Sequence, residues 1–296
     1  MPAKLIDGKA IAADIKREVR LETDKLKTSR GITPGLAFIL VGDNPASQSY
    51  VAMKGKGCEE MGFHSVTERL PADTPEPRLL DLIRRFNQDP LIHGILVQLP
   101  LPRQIHEERV LNSIDYRKDV DGFHPVNVGR LVIGEECLKP CTPVGVQELL
   151  VRSGNDPSGK HVVIVGRSTI VGKPLLNILL QKKPGANAVV TIAHTGAEDI
   201  SVYTRDADIV VAAMGRAEFI TGDMIRRGAV VIDVGINRVA DASTKTGYRL
   251  TGDVHFASAS EVAAAITPVP GGVGPMTIAI LLRNTLLAAS GGIYAD

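Results

Sequence analysis

The stretch that most constrains the fold is His161–Pro174, which reads HVVIVGRSTIVGKP. Four β-branched residues, Val162 to Val165, run into Gly166, then a polar turn, then the apolar start of a helix. β-Branched side chains favour a strand. A strand that turns at glycine into a helix brings backbone N–H groups and the positive helix end to one point, and such a point holds a phosphate.

The loop departs from the usual dinucleotide fingerprint in two ways. In G-x-G-x-x-G, with an acid about 20 residues on for the ribose 2′-hydroxyl, the second glycine is here Ser168 and the next glycine is Gly172. Serine lacks glycine's freedom at positive φ, so the diphosphate is expected to sit differently against the turn. The strand end that should carry the acid reads Thr191-Ile192-Ala193-His194-Thr195 and holds no carboxylate. Arg167, Ser168 and Thr195 offer a guanidinium and hydroxyls instead, which suit a 2′-phosphate. The residues therefore point to NADP+ in preference to NAD+. The plainer alternative keeps Arg167 as a solvent-facing turn residue, and His194 is read as a satisfied strand-end histidine.

Around this loop the chain alternates helical and extended patterns. Helices are predicted near 9–30, 46–62 and 76–88, and strands at 35–41, 64–70 and 93–98. Residues 99–142 are rich in Pro, Asp and Gly and are predicted as loops with one short helix at 106–113. A fresh series of strands is predicted at 161–166, 188–193, 208–213 and 229–234, with helices between them. The run TPVPGGVGPMT (267–277) reads as an ordered loop, and Met276–Ala289 as an apolar helix. The expected class is α/β: two α/β domains, a front open-sheet domain and a Rossmann-like nucleotide domain, with a cleft between them. Residues 1–142 with 276–296 are assigned to the first, which is thus discontinuous, and 143–275 to the second.

Composition narrows the partners. The 34 basic and 33 acidic residues leave a net charge of +1, and no long basic run marks a nucleic-acid surface. Aromatics are 4% of the chain and Trp is absent, which argues against base-stacking or sugar platforms. Three cysteines, Cys58, Cys137 and Cys141, form no repeating framework and have no second Cys/His pair nearby, so no metal site is expected and the thiols read as reduced and cytoplasmic. No stretch approaches the roughly 20 apolar residues of a membrane span.

In the front domain, Tyr50 and Lys54 stand four apart in SYVAMK and share a helix face. A tyrosine one turn from a lysine can stack a planar ligand beside a proton carrier. Short-chain dehydrogenases carry the same spacing after their nucleotide loop; here it comes more than 100 residues before, so that assignment fails on order. Gln98 closes the apolar strand GILVQLPLP, at the strand end where open sheets place ligands. Asp121 lies in the loop KDVDGF, where a carboxylate commonly caps a turn.

The ordered set SYVAMKGKGCEEMGF, GILVQLPLP, KDVDGFHPVNVGRL, CTPVG, VGRSTIVGKPL, VIDVGIN and TPVPGGVGPMT resembles the bifunctional methylenetetrahydrofolate dehydrogenase/cyclohydrolase family over nearly the whole chain. The resemblance implies oxidation of 5,10-methylenetetrahydrofolate with NADP+, then hydrolysis of the methenyl cation to 10-formyltetrahydrofolate. It implies that Lys54 is the catalytic lysine, Gln98 its polar partner and Asp121 the carboxylate on the pterin edge. Tyr50 would stack on the folate, with Val97, Gln98 and Leu99 beside it and Pro270, Gly271, Gly272, Val273 and Gly274 forming a loop next to it. Gly166, Arg167, Ser168, Thr195 and Ile236 would touch the cofactor, and a homodimer is implied. The rivals are another NADP+-dependent dehydrogenase, a dehydrogenase without hydrolase activity, and a catalytically idle binding protein.

Overall fold

The computed structural model describes residues 2–244 and 247–294. The chain begins with β1 (Lys4–Leu5), α1 (Gly8–Arg30), β2 (Gly35–Val41), α2 (Pro45–Met61), β3 (His64–Leu70), α3 (Glu76–Gln88), β4 (Gly94–Val97), α4 (Glu107–Ser113) and α5 (Pro125–Ile133). It continues through α6 (Cys141–Arg152), β5 (His161–Val165), α7 (Gly172–Leu179), β6 (Val189–Ala193), α8 (Ser201–Thr204), β7 (Ile209–Ala212) and β8 (Val230–Asp233). Last come β9 (Asn237–Ala240), β10 (Tyr248–Thr251), α9 (Phe256–Val262), β11 (Ala265–Ile266) and α10 (Val273–Ser290).

These elements form two compact units. Ala13–Cys141 with the described residues from Ile278 onward make a three-strand unit; the described residues up to Ala12 with Thr142–Thr277 make a six-strand unit.

In the three-strand unit the parallel order is β3-β2-β4. β2 is buried along its whole length, as a central strand covered on both faces must be. The chain leaves β2 toward β3 on one side and returns as β4 on the other, which makes a switch point at the carboxyl ends of β2 and β4. Residues 118–120 lie beside β4 through the parallel bridge Ile95–Asp119. One face of the sheet packs Ala37, Ile39, Ile95 and Val97 against Leu79, Leu82, Ile83 and Phe86 of α3.

The six-strand sheet is parallel throughout, in the order β1-β11-β8-β7-β5-β6. Its switch point lies between β5 and β7, and β9 and β10 form a separate antiparallel hairpin.

Several expectations need correction. Residues up to Ala12 were assigned to the front domain but join the six-strand unit, because β1 pairs in parallel with β11, Lys4 against Ala265 and Leu5 against Ile266. Within 99–142 the structure adds α5, which starts on Pro125 under a His124 cap and ends at Gly134 with φ 84°. Both breakers are in the places helices use them, Pro at the first turn and Gly beyond the last. The predicted loop 267–277 stops at Gly272: Val273 opens α10, and Pro275 falls in the first turn, where no N–H is needed. The crossover from β7 to β8 carries a short 3-10 turn, Gly222–Met224, instead of an α-helix. By length and composition α10 could cross a membrane, contrary to the sequence reading; 56% of it is buried inside the protein, as in an apolar core helix.

Candidate active site

In the three-strand unit, α2 carries Lys54 toward the carboxyl end of β4. Asn44 caps α2 by accepting the N–H groups of Ala46 and Ser47, and Pro45 fills the first position. Lys54 is only 8% exposed. Its Nζ donates to Gln98 Oε1 at 3.1 Å. The Gln98 side chain has one orientation, because its Nε2 donates to the Leu99 carbonyl at 2.8 Å and leaves Oε1 for the lysine. The Gln98 amide also donates to Ile39 O, so it prolongs the β2–β4 ladder at the switch point.

Asp121 joins this pair from the loop after residues 118–120. The turn is held by buried Asp119, whose carboxylate accepts the N–H groups of Gly122 and His124 and the Asn127 side-chain amide. Gly122 has φ 75°, and a Cβ there would stand 2.5 Å from Lys139 C, so only glycine fits. Burial pushes the Asp121 carboxyl up from its ordinary 3.8, opposed by the Lys54 charge and by a hydrogen bond from Cys141. Burial and the Asp121 charge push the Cys141 thiol well above its usual range. Asn284 of α10 donates to both Val120 O (2.8 Å) and Lys139 O (2.9 Å) and fixes the two strands of chain that carry Asp121 and Cys141. In the sequence Cys141 reads only as a reduced thiol and Asp119 only as a carboxylate of the KDVDGF loop, and Asn284 has no role, since nothing in their local pattern separates them from structural residues.

The other expected folate residues in this unit divide. Tyr50, one turn before Lys54 on α2, is 39% exposed. Leu99 is half-buried. Val97 is packed in the core against Ile39 and Ile95, so its side chain is committed there.

In the six-strand unit, Gly166 ends β5 with φ 133°, and a Cβ on it would lie 2.1 Å from Ala213 O at the end of β7. A Cβ on Gly172 would lie 2.1 Å from Gly166 O. The two glycines therefore let the turn close tightly at the switch point, as a phosphate loop requires. The expectation for Ser168 changes in detail: its Oγ accepts the N–H groups of Val171 (3.1 Å) and Gly172 (3.4 Å) and closes the turn into α7. The N–H groups of Thr169 and Ile170 have no acceptor among the described residues. Arg167 and Thr195 are exposed, and Arg167 has no ion pair or hydrogen bond among the described residues. A glycine cradle with free amides and an unpaired guanidinium fits a phosphorylated dinucleotide.

Pro270–Gly274 also belong to this unit. Gly272 backs onto Gly8, where a Cβ would stand 1.8 Å from Gly272 O. Ile236 is 49% exposed. Its Cδ1 lies 3.8 Å from the place of a Gly274 Cβ. Two residues given no role in the sequence analysis, Asp233 and Asp253, are 4% and 0% exposed and lie against the Gly235–Asn237 segment that carries Ile236. Burial, with the neighbouring Asp253 charge adding to it, pushes Asp233 up to about 7 against the pull of its N–H donors.

Comparison with known proteins places both units. Residues 6–121 match the family model "Tetrahydrofolate dehydrogenase/cyclohydrolase, catalytic domain", and residues 140–292 its "NAD(P)-binding domain". The chain is 58% identical over 289 residues to the bifunctional protein FolD of Syntrophobacter fumaroxidans, covering 97% of each chain. It is 59% identical over 290 residues to the FolD of Dehalococcoides mccartyi, covering 98% of this chain and 97% of the relative. The crystal structure of the bifunctional FolD enzyme from Campylobacter jejuni superposes with a TM-score of 0.91 at 48% identity, covering 98% of this chain and 99% of that one. That of the Trypanosoma brucei enzyme, complexed with NADP cofactor and inhibitor, does so with a TM-score of 0.93 at 41% identity over 100% of both chains.

Proposed function

Because the chain belongs to the tetrahydrofolate dehydrogenase/cyclohydrolase family, we infer that it oxidises 5,10-methylenetetrahydrofolate with NADP+ and hydrolyses the methenyl product to 10-formyltetrahydrofolate. The observation that carries the residue roles is the hydrogen bond from Lys54 to Gln98 beside Asp121. When bound, the nicotinamide supplies a hydride acceptor, and the methylene carbon of the folate becomes a methenyl cation.

The residues of the three-strand unit act on that cation. As the neutral amine, Lys54 accepts a proton from the water that adds to the methenyl carbon, then returns it to N5 as the carbon–N5 bond breaks. The hydroxyl proton leaves to solvent, and the carbon remains on N10 as a formyl group. Gln98 holds the lysine amine in place, because its own amide is fixed at Leu99. Asp121 accepts the pterin's N–H donors, which favours its charged form and offsets the burial that disfavours it. Tyr50 offers its exposed ring as a stacking surface. In the six-strand unit, Arg167 would hold the 2′-phosphate, and the amides of the β5–α7 turn with the α7 N-terminus would hold the diphosphate.

The protein acts in the cytoplasm as a homodimer. The dimer reading is supported by β6, which borders the sheet on one side and has Val189 65% exposed. Light scattering on the purified protein tests it.

A spectrophotometric assay with 5,10-methylenetetrahydrofolate tests the whole. Absorbance of the methenyl cation should appear with NADP+, appear more weakly with NAD+, and then decay as the ring opens. No methenyl formation with either nucleotide overturns the reading.

A further inference from the structure

Asp233 and Asp253 are nearly sealed from water, and the chain around them is shaped to receive them. Asp233 ends β8; its Oδ1 accepts the N–H groups of Gly235 (3.0 Å) and Asp253 (2.9 Å), and its Oδ2 that of Val254 (2.9 Å). Asp253 Oδ2 accepts the N–H groups of Met214 (2.7 Å) and Gly215 (2.8 Å), and its Oδ1 accepts the Asn237 side-chain amide at 2.9 Å. Three separate segments, after β7, after β8 and after β10, are thus tied at one place. Two glycines make room for the ties. A Cβ on Gly252 would stand 1.8 Å from Asp233 Oδ2, and one on Gly235 would stand 2.3 Å from Asp253 Oδ1.

The tied segments lie along the carboxyl edge of the sheet at its switch point. Ala213, just before Met214, supplies the carbonyl on which Gly166 packs. Ile236 sits between the Gly235 N–H held by Asp233 and the Asn237 amide held by Asp253, and it stays 49% exposed although it is large and apolar. The amides of Met214 and Gly215 are turned inward onto Asp253, so they are not available to a phosphate; among the described residues the β5–α7 turn keeps amides without an acceptor from Arg167 through Ile170.

We propose that Asp233 and Asp253 are positioning residues of the cofactor site, fixing the Met214–Gly215 turn and the Gly235–Asn237 segment in the geometry that NADP+ binds. The proposal rests on the NADP+ reading of the β5–α7 turn. The hydrogen bonds of both carboxylates go to protein groups, five backbone N–H groups and the Asn237 amide, so the two act through the chain they hold.

The tie to Asn237 can be broken or kept. In Asp253→Asn the side-chain carbonyl still accepts from Met214 and Gly215, and the Asn237 amide, whose oxygen has no other partner among the described residues, turns over to accept from the new amide, so every tie survives. In Asn237→Ala the outer tie is lost. NADP+ binding is measured by isothermal titration, with dehydrogenase KM and kcat and the Tm beside it. The expected result for Asn237→Ala is a dissociation constant and KM for NADP+ raised about tenfold or more, with kcat at saturating NADP+ within about threefold of the parent. Asp253→Asn should keep affinity within about threefold. Should Asn237→Ala fold poorly, Asn237→Ser breaks the same tie and carries the same expectation. Unchanged NADP+ affinity in a folded Asn237→Ala or Asn237→Ser protein overturns the proposal, as does an Asp253→Asn protein that loses as much affinity as Asn237→Ala. An unsubstituted protein that does not bind NADP+ in the same titration refutes the cofactor reading instead.

Discussion

Replacing Lys54 with Met removes a charge and a proton carrier while keeping most of the side chain's length. The nitrogen lost makes one hydrogen bond, 3.1 Å to Gln98 Oε1, from a residue 8% exposed. A proton carrier positioned in this way contributes about 10²–10⁴ in rate. At about 1.4 kcal/mol per decade, its loss raises the barrier to methenyl hydrolysis by about 3–5 kcal/mol. Stability should fall much less. Stranding a buried charge costs about 3–5 kcal/mol, but Asp121 is already pushed upward by burial and the lysine charge is what opposes that push. Without Lys54 the upward push of burial meets less opposition, so the carboxyl takes up a proton more readily and part of the cost is relieved. Gln98 keeps its orientation through Leu99. The net loss should be about 1–2 kcal/mol, or about 2–8 °C in Tm for a unit of this size. The assay follows decay of the methenyl cation's absorbance after adding the cation directly, alongside thermal melts and NADP+ titration. The expected variant is folded, binds NADP+ and hydrolyses the cation at least about a hundredfold more slowly. Hydrolysis within threefold of the parent in a folded protein refutes Lys54 as the proton carrier.

Arg167→Ala should raise the KM for NADP+ far more than that for NAD+, because the exposed guanidinium has no partner among the described residues and is free for a 2′-phosphate; equal effects on both nucleotides refute that role. Asp121 predicts a pH dependence with a definite sign. Its carboxyl is raised above 3.8 in the free protein, whereas pterin N–H donors favour the charged form, so the KM for folate should fall as pH climbs above the ordinary carboxylate range. Asp121→Asn should flatten that slope and raise the KM throughout, as measured by initial rates at saturating NADP+ across pH.

Much of the fold was legible because its strands are short β-branched runs flanked by amphipathic helices. Val162–Val165 and Ile209–Val211 have nowhere to go but the middle of a parallel sheet. What escaped has a physical reason in each case. β1 and β11 have two residues each, too few to show any period, and their identity as strands comes only from pairing with each other and with β8. α5 was hidden by Pro125 and Gly134, residues that break helices in the interior but start and end them at the margins. The same ambiguity delayed the start of α10, where Gly274 and Pro275 stand inside the first turn.

The two sites differ in legibility because they are built on different scales. Tyr50 and Lys54 are related by one helical turn, and Gln98 by the end of a strand, so local periodicity exposes them. Asp121 was visible as a loop carboxylate, but its company with Lys54 and Cys141 depends on α2, on the turn at Gly122 and on Asn284, which is drawn from the far end of the sequence. The Asp233–Asp253 tie lies beyond local reading altogether, since its partners come from the ends of β7, β8 and β10. Its one trace in the sequence is a glycine close to each aspartate, Gly235 after Asp233 and Gly252 before Asp253. In the structure each of those glycines makes room for the other aspartate's carboxylate. A glycine beside a buried acid at a strand's carboxyl end is thus a mark of backbone held by a carboxylate, and it points to the loops a ligand will need held still.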